Sequence, residues 1–551
     1  MKVNEFSQRL RSHPLIATEL VLASFMANLL ALAVPVYVIQ VLNRYLSYGV
    51  DATLVTLTIG VVLALLMEYA FRTVRLRLAG GIGEQRNKQL WFGAMGILTT
   101  AQMQSLNDYA GRSRLELNHT LDTIESAYGA QNLTALLDLP FALLFIAVLL
   151  LLSPTLGIIV ALFIFLLFLF ALAGQRKLRE KLERVNKTTA EGRHLIARAY
   201  SAVETVRLFD RTRSTLAEWA RHIGIRHQKK EKIARSQGNL QISTASLHAL
   251  MGVVIYAVGA PLVIGGEFSV GVLIGANILA SRALGPVIKF AQLGETLATA
   301  HNAMQELEQL STVATEQDSG AACNSFSGQI QIKDLAFSYP NAVQPLYESL
   351  NLELQPGAVL LITGANGSGK TTLSRLLTGL LTPQRGMILV DGIDIRQLAP
   401  QWWRGQFSYL PQEPVLLQGS LKYNLESANP ELNQQRIDEI ISDAGLTDFI
   451  ARSPDGLDME VGNHLSLGYR KRIALARALA VDGKLVIFDD PTEGLDQEGR
   501  QTLYALLLKL SRQGRTLILC SDDPVLLQGA SLILDLNEKP TPKLQFTGVK
   551  S

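Results

Sequence analysis

Between Leu139 and Gly174 the chain carries no formally charged side chain. That run is too long for one ordinary crossing of a hydrocarbon layer, which takes about 20 apolar residues. Ser153-Pro154-Thr155 interrupts it, so the run is expected to fold as a tight helix–loop–helix with spans near residues 135–152 and 156–173. Two further uncharged runs precede it, Leu20 to Asn43 and Ala52 to Met67, the second continuing past Glu68 to Phe71. A later pair lies near residues 244–264 and 269–293, separated by Gly265-Gly266-Glu267, which brings the expected spans to six. Composition agrees: 48% of residues are hydrophobic and 18% charged, and the mean hydropathy is +0.21, a balance that leans towards a membrane protein. Lys2, Arg9 and Arg11 stand ahead of the first run. A cleaved signal peptide would have a shorter apolar region and a small-residue cleavage site, so this run is read as an uncleaved first span.

Lysine and arginine near span ends are retained on the cytoplasmic side. Arg44 is the only basic residue in the connections after spans one, three and five, whereas those after spans two and four, such as Arg176 to Lys232, are long, charged and helical in pattern. Both termini are therefore expected in the cytoplasm, with helices running well beyond the bilayer. Glu19, Glu68, Asp138, His248, Arg282 and Lys289 fall within or beside spans. Glu19, Glu68, Asp138 and Lys289 lie near span ends, where side chains reach water or snorkel. Arg282 is either a cavity-facing or pair-forming charge or a helix-packing residue.

At 551 residues the chain exceeds one core. Near Glu308 the pattern changes, and Ser311 to Gly328 is small, polar and unpatterned. The expected division is a membrane domain over 1–307, a linker over 308–327 and a soluble α/β domain over 328–551 in which strands alternate with helices. A net charge of +3 is too small to argue for a nucleic-acid partner. The two cysteines, Cys323 and Cys520, fall in segments assigned to different domains, which leaves no disulfide framework and no metal-ligand cluster and suits a reducing compartment.

In the second half, the apolar run Val359 to Ile362 leads into Gly364-Ala365-Asn366-Gly367-Ser368-Gly369-Lys370-Thr371, which opens a helical segment. This is G-x-x-x-x-G-K-[ST] in the setting it needs. The glycines let backbone N–H groups turn onto phosphates, Lys370 supplies a point charge, Thr371, followed by Thr372, offers a hydroxyl to Mg2+, and the helix N-terminus adds partial positive charge. Leu485 to Phe488 is an apolar strand that ends on Asp489, the form expected of a carboxylate delivered to the Mg2+ shell, and Asp490 follows where a water-orienting carboxylate would act. Tyr339 lies upstream, where an aromatic could stack on adenine or simply be an exposed strand residue. Gln412, in Leu410-Pro411-Gln412-Glu413, is a candidate ligand for Mg2+ or the attacking water, or part of an ordinary strand-end loop.

With these motifs in place the chain resembles an ABC exporter half-transporter, a six-span membrane α-helical domain followed by an α/β P-loop nucleotide-binding domain. Leu465-Ser466-Leu467-Gly468-Tyr469 and the following Arg470 to Ala478 resemble the family signature segment and its helix. The resemblance implies a dimer closing head to tail, each ATP lying between one chain's cradle and the other's signature, where Ser466 and Gly468 meet phosphate. Asp138 to Phe145 and Ser281 to Pro286 resemble segments of bacterial type I secretion permease/ATPase subunits, which export unfolded proteins. Segments around Gly111–Asn118 and Tyr200–Val206 resemble the cytoplasmic loops that dock on the ATPase domain. The resemblance implies ATP and Mg2+ as cofactors and an inner-membrane location in a bacterium. The implied partners are membrane lipid, a second half-transporter chain, a periplasmic adaptor, an outer-membrane channel and a protein or peptide cargo. Export of a lipid or small molecule, or a regulatory role in a heterodimer, are the alternatives.

The chain departs from the family pattern at four positions. Asp490 stands where the family has glutamate, one methylene too short to hold water at about 3 Å. Asp522 stands where the family has a switch histidine, and an anion there repels a γ-phosphate. Leu467 replaces glycine and Tyr469 replaces glutamine in the signature. The expectation is a subunit that binds Mg-ATP and is impaired in hydrolysing it.

Overall fold

The computed structural model describes residues 4–110, 117–317, 319–323, 325–339, 342, 344–462 and 464–546. The chain forms two compact units, one made by residues up to Thr99 with Tyr109–Val313, the other by Thr100–Asp108 with residues from Ala314 on.

The first unit is helical. Among the described residues six helices are long and apolar enough to cross a membrane: Pro14–Tyr48, Asp51–Thr100, Ala130–Leu152, Pro154–Gly174, Thr212–Ile264 and Val270–Gln292. In hydrocarbon every backbone amide must find its partner inside the segment, which these apolar runs achieve as helices. The break at Ser153 falls where the sequence places it. Ser153 is extended and its Oγ accepts from Leu156 N at 3.5 Å, while Pro154 takes the first turn, where a missing N–H costs nothing. The helices Asp51–Thr100, Pro154–Ser201 and Thr212–Ile264 contain 50, 48 and 53 residues. At 1.5 Å per residue each is roughly 75 Å long, more than twice the hydrocarbon thickness. They therefore continue beyond the bilayer as expected.

Phe145, Leu149, Leu156, Val160, Met251, Ile255, Leu279 and Ala280 form the core of this unit. Small residues let its helices approach: a side chain at Gly271 or Gly275 would overlap Asn43 or Ile39 of the first span. Charges within the unit behave differently from expectation. Glu68 and Asp138, placed by the sequence within reach of water, are only 6% and 5% exposed. Arg75 grips Asp138 with both terminal nitrogens, Nη1 to Oδ1 at 2.6 Å and Nη2 to Oδ2 at 3.1 Å, and Asn28 Nδ2 donates to Oδ1 at 3.0 Å. Arg72 Nε donates to Glu68 at 2.6 Å, with Arg282 Nη1 at 4.0 Å from the same oxygen. A carboxylate removed from water survives as a charge only beside a cation. Arg282 is thus pair-forming, and with Arg72, Asp138, Ser281 and Lys289 it lines a cavity of about 170 Å³. His248 Nε2 lies 3.2 Å from Ser281 Oγ. Glu19 and Lys289 are on the surface of the unit.

Residues 111–116 of the first loop expected to dock lie outside the described residues. In the second, Val203–Leu208 is a short helix between Pro154–Ser201 and Thr212–Ile264, and Tyr200, Leu208 and Phe209 around it are exposed. Of the stretch 308–327, residues to Ser311 continue the helix Gly294–Ser311. Further on, Ala321 pairs with Leu398 and the buried Phe326 packs edge-on against Trp403 at 5.6 Å, both within the second unit.

The second unit is α/β. An antiparallel sheet holds β1 (Ile330–Phe337), β2 (Tyr347–Leu354), β4 (Arg385–Val390) and β5 (Ile393–Asp394) in the order β2-β1-β4-β5. A six-stranded sheet is built from β3 (Val359–Thr363), β6 (Phe407–Leu410), β9 (Leu485–Asp489), β10 (Thr516–Cys520), β11 (Leu532–Asp535) and β12 (Lys543–Phe546), ordered β12-β11-β3-β10-β9-β6. All its strands are parallel except β12, and β9 and β10 are buried at every residue, as unbroken apolar runs in a parallel sheet should be. A small ribbon pairs β7 (Gly419–Ser420) with β8 (Glu460–Val461).

The bidentate pair generates a stability prediction. Arg75→Leu alone strands a buried carboxylate and should destabilise the membrane unit by about 3–5 kcal/mol, whereas Arg75→Leu with Asp138→Leu should recover most of the loss. Thermal unfolding of the detergent-solubilised protein reads this, and equal losses in the single and double variants would show that packing, not charge, is what the site supplies.

Candidate functional site

In an open parallel sheet, ligands meet the carboxyl ends of the strands. Here register decides which residues those are. Cys520 stands opposite Ile362 on one side and Asp489 on the other, and Leu410 stands opposite Phe488. Four segments therefore leave the sheet along one edge: the glycine-rich turn after β3, Asp522 after β10, Asp489-Asp490 from β9, and Gln412 after β6.

The turn has the backbone that the glycine pattern of a phosphate cradle leads one to expect. Gly367 and Gly369 have φ of +81° and +113°, a region that L side chains rarely adopt. A side chain at Gly369 would also strike the hydroxyl of the buried Tyr347, which donates to Gly369 O. Lys370 starts the helix Lys370–Leu377 and is 7% exposed. Its Nζ donates to Gly364 O and, at 2.9 Å, to Asp522 Oδ2, while Gly364 N donates to Asp522 Oδ1 at 3.0 Å. Ala365 N donates to Asn537 Oδ1 at 2.8 Å. Burial alone would raise the Asp522 carboxyl, but the Gly364 amide and Lys370 hold it below the usual carboxylate range. Tyr339 Oη lies 3.1 Å from Thr372 Oγ1 and its ring sits edge-on to Phe337 at 5.1 Å, leaving the side chain 40% exposed at the margin of the cradle.

Asp489 is fully buried and neither of its carboxylate oxygens has a hydrogen-bonding partner of ordinary geometry among the described residues. Burial pushes its pKa up, against the pull of Thr371, Arg375, Lys471 and Lys370. An unpartnered buried carboxylate acted on by a threonine hydroxyl fits a hard divalent cation, which takes oxygen ligands. Asp489 and Thr371 are thus the residues that would hold Mg2+. Asp490 has a φ of +44°, its N donates to Cys520 O at 2.8 Å, and burial raises its pKa. Gln412 Nε2 donates to Glu493 Oε2 at 3.2 Å, so its amide is engaged with the loop after β9.

Ser466 and Gly468 are not brought to this edge. They line a separate cleft of about 680 Å³ with Tyr469, Arg472 and Asp496, and no cradle residue takes part. Ser466 caps the helix Leu467–Ala480, its Oγ accepting from Tyr469 N at 3.5 Å. Leu467 covers Gly494, and the Tyr469 ring stacks on Phe449 at 4.2 Å.

One residue of the site escaped the sequence reading. Lys471 is 1% exposed and its Nζ donates to the carbonyl of Asp490, with Glu493, Asp490 and Asp489 as its charged surroundings; burial lowers its pKa. The available signal was a lysine two positions ahead of the apolar run Ile473-Ala474-Leu475-Ala476 in the same helix.

Two family descriptions match the chain: the ABC transporter transmembrane region over residues 18–287 and the ABC transporter over residues 347–493. Among curated proteins it is similar to the leukotoxin translocation ATP-binding protein LktB of Mannheimia glucosida, 27% identical over 510 residues, covering 91% of this chain and 71% of that one. The LktB of Bibersteinia trehalosi matches with the same identity and coverage. Among solved structures it is similar in fold to a bacterial Atm1-family ABC exporter with ATP bound, with a TM-score of 0.82 at 21% identity over 97% of this chain and 94% of that one.

If Asp489 holds the cation, Asp489→Asn should remove the Mg2+ enhancement of nucleotide binding, a loss of about 2 kcal/mol or more and so over tenfold in Kd. Titration of the full-length, lipid-reconstituted protein with a fluorescent ATP analogue, with and without Mg2+, reads this. An unchanged Mg2+ response would assign the cation to other residues.

Proposed function

We propose that this chain, which belongs to the ABC transporter family, is an ATP-binding exporter subunit moving a protein or peptide out of a bacterial cytoplasm in a type I secretion-like system, with impaired hydrolysis. The observation that carries the reading is a glycine-rich turn with the backbone of a phosphate cradle beside the buried Asp489, on a chain with six membrane-length helices among its described residues. The translocation of a leukotoxin in the relatives' name supports a protein cargo. A second half-transporter chain, a periplasmic adaptor and an outer-membrane channel are the partners this reading requires. The scarcity of basic residues in the short connections favours cytoplasmic termini in an inner membrane. The exposed Tyr200, Leu208 and Phe209 give the short helix Val203–Leu208 an apolar tip for docking on an ATP-binding domain.

In this reading each residue has a defined part. The cradle amides from Gly367 to Thr371 and the Lys370 ammonium bind phosphates, while the Gly364 and Ala365 amides are held by Asp522 and Asn537; Thr371 and Asp489 would hold the cation, and Tyr339, fixed through Thr372, offers its ring to adenine. Ser466 and Gly468 present the signature to a nucleotide on the second chain. Bound Mg-ATP supplies a γ-phosphoryl group whose transfer to water releases energy. The groups that would promote that transfer are the compromised ones. Asp490 is a methylene short, Asp522 sits on Lys370, and Leu467 and Tyr469 alter the signature. Binding and hydrolysis therefore separate. The same departures favour one second reading, a regulatory subunit whose bound ATP stabilises a heterodimer with a motif-intact partner; export of a lipid or small molecule remains the alternative for cargo.

ATP turnover tests the impairment. The lipid-reconstituted chain alone should run about 100-fold or more slower than a variant carrying Asp490→Glu, Asp522→His, Leu467→Gly and Tyr469→Gln. Equal rates, or wild-type turnover at the rate of an ordinary exporter, would sink the idea. A strain lacking the chain should lose a specific protein from its culture medium, restored on complementation. An unchanged secreted-protein profile with altered envelope lipid would favour the alternative cargo.

A further inference from the structure

The position of Asp522 carries an inference about which nucleotide the cradle takes. It stands on the loop after β10, between the strand that delivers the cradle and the strand that delivers Asp489. Its two carboxylate oxygens occupy two different cradle donors, the Lys370 ammonium at 2.9 Å and the Gly364 amide at 3.0 Å. In a turn of this pattern the lysine reaches the β- and γ-phosphates while the backbone amides further along cradle the inner ones. A carboxylate and a terminal phosphoryl group ask for the same donors, since both are anionic oxygen acceptors.

Resting on the reading that the cradle binds nucleotide, we propose that Asp522 makes it select a nucleoside diphosphate over a triphosphate. A diphosphate uses the amides from Gly367 to Thr371 and shares Lys370 with Asp522, whose charge then stands in for the missing phosphoryl group. A triphosphate brings its outermost phosphoryl group to the place where Asp522 accepts from Lys370 and Gly364, and like charges meet there. The two partners differ in freedom: the Lys370 side chain is 7% exposed and the Asp522 side chain 57%. Lys370 stays in place while Asp522 can swing into water, so a triphosphate is weakened rather than excluded. Repulsion between charges a few ångströms apart at such a half-exposed site sets the scale at about tenfold in affinity. Asp522 is a specificity-determining residue on this account.

The test is a titration of the full-length chain in lipid nanodiscs with fluorescent ADP and a non-hydrolysable ATP analogue, both with Mg2+, for the wild type, Asp522→Asn and Asp522→Ser. The wild type should bind the diphosphate about tenfold tighter, and each variant should tighten the triphosphate about tenfold while moving the diphosphate less than about threefold. A wild-type ratio near one, or variants that shift both nucleotides together, overturns the selectivity and leaves the cradle as a nucleotide site. Binding of neither nucleotide by any form overturns the selectivity and the nucleotide reading with it. Two variants of different size keep the result readable if one of them folds poorly, and the wild-type ratio stands without either.

Discussion

Ile362, Cys520 and Asp489 stand side by side across three parallel strands, and what the second unit can bind depends on that row. The row is pinned because β9 and β10 are buried along their whole length, so a slip by one residue would turn every side chain to the opposite face. With the register held, the cradle after β3, Asp522 after β10 and Asp489 at the end of β9 must share one edge. Asp489 then sits at zero exposure without a hydrogen-bonding partner of ordinary geometry among the described residues, an arrangement that costs stability until a cation meets it. The same row puts Asp522 within reach of Lys370. One register thus sets on the same edge a buried carboxylate with no such partner and a carboxylate bonded to Lys370 and Gly364.

The membrane unit obeys the same electrostatic rule with a different outcome. Asp138 and Glu68 are as buried as many core residues, and each has an arginine at 2.6 Å. Hydrocarbon forbids the unpartnered carboxylate that the nucleotide edge maintains. Packing around these pairs relies on small residues: Gly271 and Gly275 let the last span lie against the first where any side chain would collide. The result is a polar seam inside an otherwise apolar bundle, with Arg282 on the wall of its cavity.

Much of this was legible in the sequence because it is written in local patterns. Six apolar runs gave six membrane-length helices among the described residues, Ser153-Pro154 marked a real break, and the glycine spacing of the cradle matched its positive φ values. What the sequence did not disclose are pairings between residues far apart in the chain. The Arg75–Asp138 pair closes across 63 residues and the Lys370–Asp522 pair across 152. Each side chain alone reads as a charge near a span end or a loop. Gln412 was legible as a polar residue at a strand end, but its engagement with Glu493 depends on how two loops meet. Lys471 was hidden for a different reason, since a lysine in a charged helical segment is ordinarily solvated and this one is buried under the loop that carries Asp490.

A chain of the proposed function holds nucleotide far better than it consumes it. The most direct measurement is to incubate the lipid-reconstituted protein with Mg-ATP for minutes, strip free nucleotide rapidly, and identify what remains bound by chromatography. The retained nucleotide should be mostly intact ATP, with little free phosphate. Retained ADP accompanied by phosphate released through many turnovers, or no retained nucleotide at all, would contradict it.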